Sequence, residues 1–149
     1  MDDVVAVHGG IVDKRIGDGM MVVFVAVERP RSAGDLAASA IRCGLAMLAR
    51  LTACNAELVQ RGGEPMAIRV GVAAGNLVQG NIGSRDRMEY TVIGEPVNLA
   101  ARLESAADEN CLLTTPDCLA ALPELLVTAV PRRISAKGFG VVDAVQLRP

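Results

Sequence analysis

Asn98 and Arg102 stand four residues apart in the run Val97-Asn98-Leu99-Ala100-Ala101-Arg102-Leu103-Glu104. On a helix, residues i and i+4 lie one above the other on the same face. An amide and a rigid guanidinium fork would then converge on one spot, which suits an anionic, oxygen-rich ligand. Taken alone, the pair also reads as an ordinary polar helix surface. Asp18 lies between Gly17 and Gly19, and an Asp flanked by glycines is first of all turn chemistry. Lys14 by itself reads as a solvated strand lysine, and Thr91 as a β-branched strand residue. Arg85 and Lys137 sit in turn-like stretches, where a solvated cation is the plain reading. His8, the single histidine, reads as a helix-end residue, and Arg69 as a structural strand arginine.

The surrounding pattern says what positions these side chains. Residues 2–8 read as a helix end closed by Gly9-Gly10. Residues 11–16 and 20–27 flank Gly17-Asp18-Gly19 as a β-hairpin. The second of these strands is apolar on both faces, which predicts a central place in a sheet covered on each side. Residues 28–34 read as a polar loop around Pro30. A long helix is expected over 35–61, with Asp35 as N-cap and Gly62-Gly63 at its end. Its apolar stripe is Leu36, Ala40, Cys43, Met47, Leu51, Cys54 and Leu58.

Residues 66–73 alternate as a strand. Met66, Ile68, Val70 and Val72 share one face, and the other, built of small residues, would let a helix or partner chain approach closely. Residues 75–83 read as a glycine-punctuated turn and 88–93 as a strand. Pro96 suits the first turn of a helix running to about residue 107. Strands over 112–114, 127–134 and 141–147 and a short helix over 116–122 complete the chain, with Lys137 in the last loop. The sum is an α+β, ferredoxin-like sandwich: one domain over residues 1–149, with a mostly antiparallel sheet and helices on one face.

The chain has 149 residues, 51% hydrophobic and 21% charged, with net charge −2, as expected for one globular domain with a real core. No global basic field exists to hold nucleic acid or an anionic membrane. Two Phe, one Tyr and no Trp also argue against base-stacking nucleic-acid modules. Cys43, Cys54, Cys111 and Cys118 have no metal-ligand spacing. They read as small core residues, free in a reducing cytoplasm. No uninterrupted apolar run is long enough for a membrane span, and the acidic start Met1-Asp2-Asp3 is unlike a signal peptide. The expectation is a soluble, cytoplasmic chain.

Two stretches together closely resemble the class III nucleotidyl cyclases, in particular the bacterial adenylate cyclase catalytic domain. One is Gly9-Gly10-Ile11-Val12-Asp13-Lys14-Arg15-Ile16-Gly17-Asp18-Gly19. The other runs from Ile82-Gly83-Ser84-Arg85 through Tyr90-Thr91-Val92-Ile93-Gly94-Glu95-Pro96 to Glu104. The resemblance implies that Asp18 ligates Mg²⁺ or Mn²⁺, and that Lys14 and Thr91 read the adenine edge. Guanylate cyclases carry Glu and a small residue at those two positions, so the pair implies ATP as substrate. It further implies that Asn98 orients the ribose and that Arg102 stabilises charge at the α-phosphate. Lys137 would bind the terminal phosphates, and Arg85 lies where some family members place a triphosphate-binding Arg. The product would be 3′,5′-cyclic AMP with pyrophosphate, made at the interface of a head-to-tail homodimer. Asp18 of one chain would there meet Lys14, Thr91, Asn98 and Arg102 of the other.

The resemblance covers nearly the whole chain but lacks the N-terminal third of the family domain. Its first strand, carrying a Phe-x-Asp motif with the other metal-binding Asp, and the helix after it are not in this sequence. Asp2 and Asp3 lie too close to Asp18 to replace it. A start codon placed too far downstream would account for this, and in-frame upstream DNA is then expected to encode the motif. The alternative is a truncated, non-catalytic nucleotide-binding or dimerisation module that pairs with a complete cyclase domain.

Overall fold

The computed structural model describes residues 1–26, 30–84 and 87–149, the side chain of Arg87 excepted. Helix α1 (Asp2–Val7) ends at His8, whose Nδ1 donates to Val4 O at 2.8 Å, and the chain turns at Gly9 with φ +74°. His8 is thus the helix-end residue its sequence position suggests. Strands β1 (Ile11–Ile16) and β2 (Gly19–Val23) form a hairpin through Gly17-Asp18. Gly17 has φ +61°, which a two-residue hairpin turn requires at its first position. β2 does not become a central strand. It pairs with β1 alone, and its far edge has no strand partner among the described residues. Its apolar character is used differently: Val5 of α1, Val22 and Phe24 crowd together around Gly10.

Helix α2 (Ala33–Gln60) begins two residues before the expected start. Ser32 is the N-cap: its hydroxyl accepts from Asp35 N at 3.0 Å, and Asp35 Oδ2 accepts from Ser32 N at 3.2 Å. That reciprocal pair is a capping box, which moves Asp35 from the cap to the third helical position. The buried stripe is Ala37, Ala38, Ile41, Cys43, Gly44, Leu48 and Leu51, rotated from the expected one. Gly44 explains the rotation, because any side chain there would press into Leu112 and Val70 of the sheet below. By length and composition α2 could cross a membrane. Here its buried stripe packs on the sheet and α4, as a core helix does.

The main sheet has the order β3 (Arg69–Val72), β6 (Cys111–Thr114), β8 (Gly140–Leu147), β7 (Val130–Ala136). β3 and β6 run parallel, and the other pairings are antiparallel. β3 starts three residues later than expected because the Asn55 side chain takes both backbone groups of Met66, at 2.7 and 2.9 Å. Strands β4 (Val78–Ser84) and β5 (Arg87–Ile93) form a separate ribbon. The glycines that suggest a turn over 75–83 are instead carried in an unbroken antiparallel ladder, with Gly80 opposite Thr91. Helix α3 (Glu95–Ala106) follows β5. Helix α4 (Pro116–Leu119) is shorter than expected and is succeeded by a 3₁₀ turn, Pro123–Val127. Leu119 and Leu122 are both fully buried, so the chain turns there to anchor them, and β7 begins later than 127.

The α+β class holds, but the helices do not share one face of the sheet. Leu112 packs with Ile41 and Leu48 of α2, whereas its neighbour Leu113 packs with Leu103 of α3. Successive strand residues point to opposite faces, so α2 and α3 cover opposite sides.

Candidate active site

Helix α3 is held against β3 by an absence of side chain. Any Cβ on Gly71 would collide with the backbone of Ala100 and Glu104, so the small face of β3 accepts a helix as its sequence suggests. With Leu103 fully buried and Leu99 packed beside it, the opposite face of α3 is fixed outward. Asn98 and Arg102 lie on that face, exposed and without a hydrogen-bond or ion-pair partner among the described residues. A cleft of about 290 Å³ opens at the start of α3, lined by Ala74, Gly75, Asn76, Glu95, Pro96 and Leu99. Neither Asn98 nor Arg102 lines it.

The β1–β2 hairpin meets the β4–β5 ribbon through charged and polar side chains. Thr91 donates its hydroxyl to Asp13 Oδ2 at 2.8 Å, and Lys14 Nζ lies 3.7 Å from the same oxygen. Lys14 also donates to Glu89 Oε2 at 3.1 Å. Lys14 and Thr91, far apart in sequence, are therefore brought to one place. Thr91 is 7% exposed, and Asp13 is nearly enclosed. Sequence reading did not single out Asp13, because alternation along a strand puts neighbours on opposite faces. The register of β1 slips between Val12 and Lys14, and this bulge lets Asp13 and Lys14 turn to the same side. No sequence signal announced it.

Asp18 occupies the exposed tip of the β1–β2 hairpin. Lys137 is exposed in the β7–β8 turn, where Gly138 and Gly140 take φ +92° and +73°. Phe139 of that turn packs against the core cluster that includes Leu103 of α3. Neither Asp18 nor Lys137 has a partner among the described residues. Arg85 lies outside the described residues. Arg69 is 3.9 Å from Glu109, a loose exposed pair in keeping with a structural role. All four cysteines are free, with Cys43, Cys111 and Cys118 buried. Burial pushes the Cys43 thiol above its ordinary pKa.

Beyond the α3 contact, Asp108 accepts from Gln146 Nε2 at 2.9 Å and pairs with Arg132 at 3.1 Å. These contacts, Gln146 first and Arg132 second, hold the Asp108 carboxyl below its ordinary range. The cluster ties the end of α3 to β7 and β8.

Residues 1–147 match the family model of the adenylate and guanylate cyclase catalytic domain. An uncharacterized protein of Mycobacterium tuberculosis is 39% identical over 122 residues, covering 78% of this chain and 20% of that protein. Another from the same organism is 44% identical over 96 residues, covering 64% of this chain and 16% of that protein. The chain thus spans a fifth or less of the length of these relatives. Among solved structures, the guanylyl cyclase Cya2 superposes with a TM-score of 0.82 at 33% identity, covering 97% of this chain and 73% of that one. The adenylyl cyclase CyaB from P. aeruginosa gives 0.83 at 28% identity, covering 99% and 76%. A match that runs almost end to end, on a backbone that follows solved cyclases of both nucleotide types, places this chain in the adenylate and guanylate cyclase catalytic-domain family.

Proposed function

We propose that the domain is an adenylate cyclase, turning ATP into 3′,5′-cyclic AMP and pyrophosphate at a site shared by two chains. The observation that carries the adenine reading is the meeting of Lys14 and Thr91 at one carboxylate oxygen. Two polar groups in a partly enclosed place can select a base strongly, since a mismatched base leaves buried polar groups unpaired. Asn98 and Arg102 support the reaction: both are exposed on one helix face with no partner among the described residues. Asn98 would orient the ribose so that its 3′-oxygen faces the α-phosphorus. That oxygen bonds to phosphorus as the bond to the bridging oxygen breaks, pyrophosphate leaves, and the hydroxyl proton passes to water. Arg102 would stabilise the charge that grows on the α-phosphate oxygens, with Lys137 on the terminal phosphates. Positioning and charge stabilisation supply most of the rate in such a transfer.

Divalent metal use is general in this family, but the described residues do not by themselves make a metal site. They contain no group of three or more His, Cys, Asp or Glu side chains placed to hold an ion. Asp18 offers one carboxylate, so Mg²⁺ or Mn²⁺ would need further oxygen ligands from substrate phosphates or another chain.

In a second reading this chain is a non-catalytic partner that lends Lys14, Thr91, Asn98 and Arg102 to a complete cyclase. Assaying cyclic AMP from Mn²⁺-ATP and cyclic GMP from Mn²⁺-GTP, with the chain alone and mixed with a complete cyclase, separates the readings. Cyclic AMP from the chain alone, lost in Asn98→Ala and Arg102→Ala, supports the first. Product only in the mixture supports the second, and cyclic GMP as main product overturns the adenine reading.

A further inference from the structure

Asp13 touches both base-reading candidates. The β1 bulge turns it towards β5 beside Lys14, and its Oδ2 takes the Thr91 hydroxyl proton at 2.8 Å. A hydroxyl has one proton to give and lone pairs to receive with. With its proton committed to a carboxylate, which can only accept, Thr91 is left as an acceptor towards any ligand. Lys14 has three donors and no acceptor. It spends one on Glu89 at 3.1 Å, and among the described residues no other hydrogen bond occupies the rest, with Asp13 Oδ2 at 3.7 Å.

Resting on the adenylate cyclase reading, we propose that Asp13 is a positioning residue that sets the hydrogen-bond polarity of Thr91 and thereby selects adenine over guanine. The pair then presents an acceptor at Thr91 and a donor at Lys14. Adenine offers the complement on its Watson–Crick edge, a donating 6-amino group beside an accepting ring nitrogen. Guanine offers the reverse, an accepting 6-oxygen beside a donating ring N–H, so both contacts would oppose. A threonine free to rotate could donate to the guanine oxygen, and that freedom is what Asp13 removes.

The test compares ATP and GTP binding to the full chain by competition against a fluorescent ATP analogue, for wild type, Asp13→Ala, Asp13→Asn, Thr91→Val and the Asp13→Ala/Thr91→Val pair. The expected result is that Asp13→Ala lowers the ATP-over-GTP ratio by about tenfold, a typical effect of mispairing one enclosed hydrogen bond. Asp13→Asn should keep most of the preference. Its carbonyl oxygen can take the same proton, and the neighbouring Lys14 donor disfavours turning the amide nitrogen inward. In the Thr91→Val background Asp13→Ala should change the ratio no further, because the effect passes through Thr91. Should the alanine chain fail to fold, Asp13→Leu repeats the test with a side chain of similar size. An Asp13 variant that weakens both nucleotides equally, or lowers only the melting temperature, overturns the proposal and leaves Asp13 as a clamp between two hairpins. A wild-type chain that binds GTP as well as ATP overturns the adenine reading, and this inference with it.

Discussion

Arg102 projects from α3 with no ion-pair partner among the described residues, while its neighbour Leu103 is fully buried. Two consecutive positions, about 100° apart around the helix, therefore divide a residue that can serve a ligand from one that holds the fold. Arg102→Ala should lower kcat by about 10²–10³-fold, the scale for losing one preorganised donor to a developing oxyanion. The melting temperature should stay within a degree or two, as for a surface change. Single-turnover cyclic AMP formation beside a thermal melt checks both halves. Arg102→Lys should not restore the rate, since a point charge does not replace a planar fork. At this scale the sequence was informative where spacing alone aims two side chains, as with Asn98 and Arg102. It was silent on Asp13, whose direction comes from a strand irregularity that no residue type encodes.

Among the elements, the contact between α3 and β3 sets where the exposed face of the helix points. Gly71→Ala would drive a methyl into the helix backbone and should cost about 3 kcal/mol, the upper end for overpacking. Denaturant unfolding measures that cost, and a neutral result would mean that α3 sits farther out. The start of α2 is a separate matter: Ser32→Ala removes the cap and should cost about 1 kcal/mol, read in the same way.

At the far end of α3, Asp108 gives the fold an acid dependence. Its folded-state pKa lies below the ordinary 3.8 because Gln146 and then Arg132 favour its charged form. Its contribution is therefore complete above pH 3.8 and is lost as pH falls through the lower folded value. Wild type should lose more melting temperature between pH 5 and pH 3 than Asp108→Asn does. Equal losses would remove Asp108 as a cause. Periodicity located these helices well, since α2 and α3 are long and amphipathic. It misplaced the cap of α2, where Ser32 and Asp35 compete for the same role, and it hid β4, whose glycines are tolerated because β5 supplies the ladder.

Across the whole molecule, the β4–β5 ribbon stands apart from the main sheet and exposes Val78, Met88, Tyr90 and Ile93 to 50% or more. In the register of the pairing, Met88 and Tyr90 point to one face and Val78 and Ile93 to the other. A two-stranded ribbon has too little area to bury both faces alone, and exposed apolar patches of this kind mark contact surfaces. If the proposed pair of chains meets at this ribbon, Tyr90→Asp should shift sedimentation towards monomer and lower activity together. Unchanged sedimentation would mean that another surface makes the pair. The overall architecture was legible from the alternation of strands and helices, but the distribution of helices over both faces of the sheet was not. That distribution depends on which of two adjacent leucines, 112 or 113, each helix meets, and both are equally apolar.

The account is tested most directly by the product formed from Mn²⁺-ATP by wild type, Asn98→Ala and Arg102→Ala, each alone and mixed with a complete cyclase. Cyclic AMP that depends on both side chains in at least one of the two arms is the predicted result. Cyclic AMP that neither substitution diminishes, or none above background in either arm, would contradict the claim that this helix face carries the chemistry.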